Sequence, residues 1–216
     1  MSKHGKNIRI FSGGQLGEWA LAGIAPSDIL VGADRGALFL ARSGLHLHCA
    51  LGDFDSVTAE ERAEIASASL ETLAVDPVMK DMTDTEMAFE WAMAQRPASI
   101  AVCGALGTRF DHALANVHLL RRALRGGVPC AIEDAHNSIE LIGPGRKQLV
   151  PGRFAHVSLL PLTDEVSGIT LTGFRYPLHR ARLAIGQSLG VSNVLEQPSG
   201  TIEVGTGELL VIRSSD

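Results

Sequence analysis

Basic residues are in the minority in this chain: 19 Lys and Arg stand against 24 Asp and Glu, a formal net charge of −5 over 216 residues. A protein that grips duplex nucleic acid or an anionic membrane presents a broad basic face, so neither is expected as a partner, although a local basic pocket is compatible with this balance. Cysteine is also sparse. Cys49, Cys103 and Cys130 form no CxxC pair, so a disulfide framework is not expected and they read as small buried hydrophobes in a reducing compartment. No stretch reaches the ~18 apolar residues of a membrane span. The apolar run at 8–11 ends at Gly13-Gly14, too short for a secretory signal, and the expected location is cytoplasmic. Two nucleotide signatures are missing as well, GxxxxGK[ST] and a GxGxxG between strand and helix. Any nucleotide site here is neither a Walker loop nor a standard Rossmann loop.

What is present is ordinary globular material, 45% hydrophobic, enough at roughly 100–200 residues per domain for one large domain or two modest ones. Short β-branched runs at 8–11, 29–32, 46–51, 70–75, 99–103, 130–133 and 139–142 alternate with helical stretches. Thr58 with Glu61, and Thr83 with Glu86, have the spacing of capping boxes, and Gly126-Gly127 stop a helix over 110–125. Strands alternating with helices specify an α/β fold, a mostly parallel sheet with helices on both faces. Beyond Gly143-Pro144-Gly145 the pattern is all β, with runs at 154–160, 169–174, 182–185, 201–204 and 209–213 and a hairpin turn at Gly205-Thr206-Gly207. A module of about 70 residues rarely draws more than about 3–5 kcal/mol from its own core. It is expected to lean on the first domain or on a second copy of the chain.

In open α/β sheets ligands bind beyond the carboxyl ends of the strands, and unusual residues crowd those ends. Gly13-Gly14 follow the first run, Asp34-Arg35-Gly36 the second, Asp53-Phe54-Asp55-Ser56 the third, Lys80-Asp81 with Thr83-Asp84 the fourth, and 104–111 the fifth. With the chain still extended at 53–55, Asp53 and Asp55 point the same way while Phe54 turns to the core. Two carboxylates about 4 Å apart at an effective dielectric near 20 repel by about 4 kcal/mol. A bound cation relieves that, and oxygen-only donors favour Mg²⁺ completed by water and substrate phosphates. The same aspartates also suit a plain turn and cap. Asp81 and Asp84, three apart at a helix start, add carboxylates at a position that the helix dipole favours without any function. Lys80 is a natural polyphosphate contact and equally a solvent-facing residue. Gly104 and Gly107 let backbone N–H groups approach a ligand, the following helix aims its positive end at an anion, and Arg109 can fork onto phosphate oxygens. Asp111 and His112 suit base or water-ordering roles, or a cap and a surface position. His46 and His48 share a strand face with no third ligand near in sequence, which favours a solvated edge over a metal pair.

Six stretches, Ala33-Asp34-Arg35-Gly36, Gly52-Asp53-Phe54-Asp55-Ser56, Lys80-Asp81-Met82-Thr83-Asp84-Thr85-Glu86, 104–112 with Asn116, Tyr176-Pro177-Leu178 and Ser192-Asn193, follow one another along almost the whole chain. As a set they resemble the thiamine pyrophosphokinase (thiamine diphosphokinase) family. The resemblance implies an α/β nucleotide-binding catalytic domain over 1–143, a β-sandwich thiamine-binding domain over 147–216, and a homodimer with active sites at the subunit interface. It implies Mg²⁺ held by Asp53, Asp55 and Asp84. It places Asp34, Lys80, Thr83, Gly104, Gly107 and Arg109 on ATP, Asp111 with Arg109 and Lys80 at the reacting centre, and Ser192 and Asn193 on thiamine. The implied reaction moves the terminal diphosphate of ATP onto the hydroxyethyl oxygen of thiamine, giving thiamine diphosphate and AMP. The chain departs from the family pattern in three places. Arg35 stands at one of two glycines, Thr108 at another glycine, and Val194-Leu195 where an acidic residue and a thiamine-stacking aromatic usually follow. The missing aromatic leaves room for another alcohol, such as a pterin, as acceptor. A nucleotide-sensing binding module and a Mg²⁺-dependent phosphohydrolase are the other rivals.

Overall fold

The computed structural model describes residues 5–74 and 81–216, in two compact units, Met1–Ala135 and His136–Asp216. In the first unit, strands β1 (Asn7–Phe11), β2 (Ile29–Ala33), β3 (Cys49–Gly52), β4 (Thr72–Ala74), β5 (Ser99–Cys103) and β6 (Cys130–Glu133) alternate with helices. The helices are α1 (Glu18–Leu21), α2 (Arg35–Arg42), α3 (Ala59–Ala68), α4 (Asp84–Ala94) and α5 (Phe110–Arg125). The strands lie in the order β4-β3-β2-β1-β5-β6, every pair parallel. Side chains alternate across the sheet. Phe11, Leu30, Ala50 and Cys103 join Leu38 and Leu40 of α2 and Ile65 of α3 in one core cluster. Ile8, Ile10, Val31, Leu51, Ile100 and Val102 point to the opposite face and are equally buried, with α4 against β1, β2 and β3. Helices therefore cover both faces, as the alternating pattern requires.

Helix α2 starts two residues after β2 and lies close on the sheet because Gly32 carries no side chain. A Cβ there would sit 2.3 Å from the Cα and 2.6 Å from the Cβ of Ala37. The Thr58–Glu61 capping box forms in full, with bonds of 3.2 and 3.0 Å. At α4 only half of the expected box forms: the Thr83 hydroxyl accepts the Glu86 N–H at 3.2 Å, while the Glu86 carboxylate accepts from Arg122 of α5 at 2.8 Å. The carboxylate thus ties two helices together instead of closing on its own turn. No helix among the described residues is long and apolar enough to cross a membrane.

The second unit holds β7 (Asn137–Ile142), β8 (Gly145–Leu149), β9 (His156–Pro161), β10 (Glu165–Thr172), β11 (Leu178–Ala184), β12 (Gly200–Val204) and β13 (Leu209–Ser214). Strands β7-β13-β9 pair antiparallel, and β11-β10-β12-β8 form a four-stranded antiparallel sheet. Leu159 and Val211 from the first set and Ile169, Leu183 and Ile202 from the second share one buried cluster, so the two layers form a sandwich. The second compact unit begins at His136, ahead of β7. Residues 139–142 read as a last strand of the α/β domain, but β7 pairs antiparallel with β13 from Asn137↔Ser214 to Ile142↔Leu209. Strand β8 has no apolar run to announce it. Its Arg146, Lys147 and Gln148 ladder onto β12 at the sheet edge, where charge discourages pairing with another chain.

Replacing Gly32 by Ala should destabilise the protein by about 1–3 kcal/mol, since the added methyl meets α2 backbone rather than a flexible side chain. Urea unfolding should show a lowered midpoint at unchanged slope.

Candidate active site

In the first unit β1 lies between β2 and β5, so the strand order reverses there and the loops leaving β1 and β5 part company. A cavity of about 280 Å³ opens at that point. Its wall is the Ser12-Gly13-Gly14 loop, Asp34, the first turn of α4 and the loop from Gly104 into α5. Hydrogen bonds hold these loops against one another. The Gly14 N–H donates to the Gly104 carbonyl at 2.9 Å, and a Cβ on Gly14 would lie 2.3 Å from that oxygen, so only glycine fits. Thr85 Oγ1 donates to Ser12 Oγ at 3.0 Å, and the buried Asn116 amide donates to the Ala105 carbonyl at 2.8 Å. Ser12 and Thr85 escaped the sequence reading as wall residues. Their only signal is position, at a strand end and a helix start.

The carboxylates meet beside this cavity. Asp34, Asp53 and Asp55 each offer an oxygen within 4.8 Å of the others. Asp84 joins them, for the Cβ position of Gly52 lies 3.3 Å from Asp84 Oδ1 and 3.5 Å from Asp34 Cβ. Asp81, by contrast, is exposed. The chain is not extended at 53–55, as the spacing argument assumed. Phe54 has φ 58°, and the Asp55 N–H donates to Asp53 Oδ1 at 3.1 Å. The aspartates make a tight turn and share a ligand-ready rim at once, while Phe54 is buried in the core as expected. Asp34, expected on ATP, belongs to this carboxylate group. Its φ is 52°, a strained value for a non-glycine residue, held by its N–H to the Leu51 carbonyl at 2.9 Å. Ser56 Oγ donates to Asp34 Oδ2 at 2.5 Å. Asp34 Oδ1 is buried without a hydrogen-bond donor among the described residues. Burial raises the Asp34 pKa, the Ser56 hydrogen bond opposes this, and the charges of Asp84, Asp53 and Asp55 raise it further. Oxygen-only donors, mutual repulsion and an unpaired buried oxygen are the features a divalent cation satisfies, and the set fits Mg²⁺.

At the start of α5 Arg109 forks onto Asp111 at 2.6 and 3.3 Å, both side chains being exposed. The hydrogen bond from Arg109 holds the Asp111 pKa down to about 2. Such a carboxylate stays ionised and serves as a hydrogen-bond acceptor rather than as a store for protons. Gly104, Gly107, Thr83, Arg109 and His112 line the cavity. Lys80 lies outside the described residues.

In the second unit Asn193 is buried and its side chain hydrogen-bonds to backbone. Its oxygen accepts from the Tyr176 N–H at 3.0 Å and the Val194 N–H at 2.8 Å, and its amide donates to the Tyr176 carbonyl at 2.8 Å. It clips two backbone segments together. Its neighbour Ser192 is exposed at φ 58°, with its N–H on Ser158 Oγ at 3.0 Å. Tyr176, the chain's single tyrosine, is 61% exposed beside the clip. Leu195, at the position of the missing aromatic, packs onto the sandwich core.

Comparisons with known proteins bear on both units. Residues 23–132 match a family model described as thiamin pyrophosphokinase, catalytic domain, and residues 147–210 match thiamin pyrophosphokinase, vitamin B1 binding domain. The chain is similar to a thiamine pyrophosphokinase of Bacillus subtilis, 34% identical over 187 residues, which span 86% of this chain and 87% of that protein. A crystal structure of the Bacillus subtilis enzyme superposes with a TM-score of 0.91 at 31% identity, covering 98% of this chain and 100% of the other. One from Geobacillus thermodenitrificans gives 0.88 at 36% identity, covering 97% and 98%.

Two outcomes follow from this geometry. Arg109→Ala should return the Asp111 carboxyl from about 2 toward its ordinary value of 3.8, read from carboxyl ¹³C shifts against pH. Because the folded value lies below the unfolded one, whatever the pair adds to stability is fully present above the unfolded value and is lost as pH falls toward about 2. Asn193→Ala should lower stability by about 1–3 kcal/mol through unpaired backbone groups, while Ser192→Ala should stay within about 0.5 kcal/mol, both by urea unfolding.

Proposed function

From the premise that the chain belongs to the thiamine pyrophosphokinase family, and is therefore a diphosphokinase, we propose how its residues divide the work. The observation that carries the reading is the gathering of Asp34, Asp53, Asp55 and Asp84 beside a glycine-walled cavity at the switch point of the sheet. Asp53, Asp55 and Asp84, with the unpaired oxygen of Asp34, would hold Mg²⁺, which when bound neutralises phosphate charge. Thr83, Gly104, Gly107 and Arg109 would meet ATP, together with Lys80. Ser192 would contact thiamine, and Asn193 would act through the backbone that it clips.

The hydroxyethyl oxygen of thiamine attacks the β-phosphorus of ATP. A new O–P bond forms, the bridging bond to the α-phosphate breaks, and its electron pair leaves with AMP. Transfer of this kind asks for positioning and charge neutralisation more than for covalent help. Asp111, kept ionised by Arg109, accepts the hydrogen bond of the hydroxyl and orients it, and the proton leaves to solvent. The chain would work as a cytoplasmic homodimer with active sites at the subunit interface. Phe110, 75% exposed one residue beyond Arg109, and Leu114 one turn on supply apolar surface for a second copy. A pterin acceptor, a sensing module and a hydrolase are not favoured, since both units match models of the same family.

With ATP, Mg²⁺ and thiamine, phosphorus NMR should show AMP and thiamine diphosphate growing in equal amounts. ADP with thiamine monophosphate, thiamine-independent phosphate release, or ATP binding without turnover would each refute the reading. Asp53→Asn and Asp84→Asn should each lower kcat at limiting Mg²⁺ by more than about 10-fold, the lower range for disturbing even the outer shell of a metal site. Circular dichroism should be unchanged.

A further inference from the structure

We propose that Arg35 is an additional phosphate-binding residue for the nucleotide, extending the site across the Gly13-Gly14 loop. The inference rests on the reading above. A second cavity, about 460 Å³, lies on the α2 side of that loop and shares Gly13 and Gly14 with the first. Arg35 and Arg42 line it above Leu16, Leu38 and Phe39. Arg35 stands directly beside the loop, its Cβ 3.7 Å from where a Cβ of Gly13 would be. The loop is thus bare backbone between two arginine-lined cavities, with Arg109 lining the one on the α5 side and Arg35 the one on the α2 side.

The cations lining the two cavities differ in their commitments. Arg109 is bound to Asp111 at 2.6 Å. Arg42 is held by Glu61 at 3.1 Å and Glu64 at 2.9 Å. Arg35 is exposed and makes no ion pair or hydrogen bond with any other described residue. Four carboxylates crowd the neighbouring rim and repel an incoming polyphosphate. A guanidinium with no carboxylate partner among the described residues offsets that repulsion with its full charge, whereas Arg109 already shares its charge with Asp111. Its planar fork matches two phosphate oxygens, which a lysine ammonium cannot do. The ligand class is a nucleoside polyphosphate, engaged through its phosphate oxygens.

The test compares wild type, Arg35→Ala and Arg35→Lys by steady-state kinetics and by calorimetric titration with Mg-ATP. Arg35→Ala should raise both KM and Kd for ATP about 10- to 100-fold, the scale of a lost charge-assisted hydrogen bond. Its KM for thiamine and its melting temperature should be unchanged, and Arg35→Lys should recover only part of the loss. Unchanged ATP affinity in Arg35→Ala, with wild-type transfer intact, overturns the assignment. So does a parallel rise in the KM for thiamine with a lowered melting temperature, which marks a structural role. Absence of thiamine diphosphate from the wild-type reaction overturns the functional reading itself, and this inference with it.

Discussion

Carboxylates of like charge repel one another, and the first unit is shaped to hold Asp34, Asp53, Asp55 and Asp84 together in spite of that. Asp34 and Phe54 both take positive φ values, 52° and 58°, at a typical cost of about 1–3 kcal/mol each. Two anchors sustain them: the Phe54 ring is buried in the core, and the Asp34 N–H is tied to the Leu51 carbonyl of the neighbouring strand. Strain, repulsion and an unpaired buried oxygen at one rim are unfavourable in isolation. Under the proposed function, a cation and its polyphosphate would relieve all three.

The second unit follows a different logic. Its site residues are presented by backbone geometry rather than by charge. The Asn193 side chain makes three hydrogen bonds that join the backbone at Tyr176 and Val194, with Ser192 and Tyr176 exposed on either side of the clip. The Asn193 side chain thus fastens two backbone segments. Leu195 shows the complementary case, since its apolar side chain goes to the sandwich core.

Legibility tracks how local each interaction is. The Thr58–Glu61 cap was readable because both partners lie within one turn. The Thr83–Glu86 pair was only half readable, because Glu86 finds Arg122 on another helix. The strands with apolar runs were readable, and polar β8 was not, since pairing with β12 makes it a strand. The grouping of Asp53 and Asp55 was expected from their spacing along an extended chain, but a turn at Phe54, with φ 58°, brings them together instead. The membership of Asp34 was hidden, because it depends on β2 and β3 being neighbours in the sheet.

Composition, periodicity and the residues at strand ends determined by themselves an α/β unit followed by an all-β unit, and which junctions line the cavity of the first unit. These are properties of short segments, set by side-chain alternation, turn residues and helix caps. The tertiary structure alone decided that β7 joins β13, that Asp34 shares a rim with three other carboxylates, that Asn193 faces backbone, and that Arg35 stands beside Gly13 with no ion pair among the described residues. Each of these depends on strand order and on the close approach of segments far apart in the chain, which no local pattern encodes.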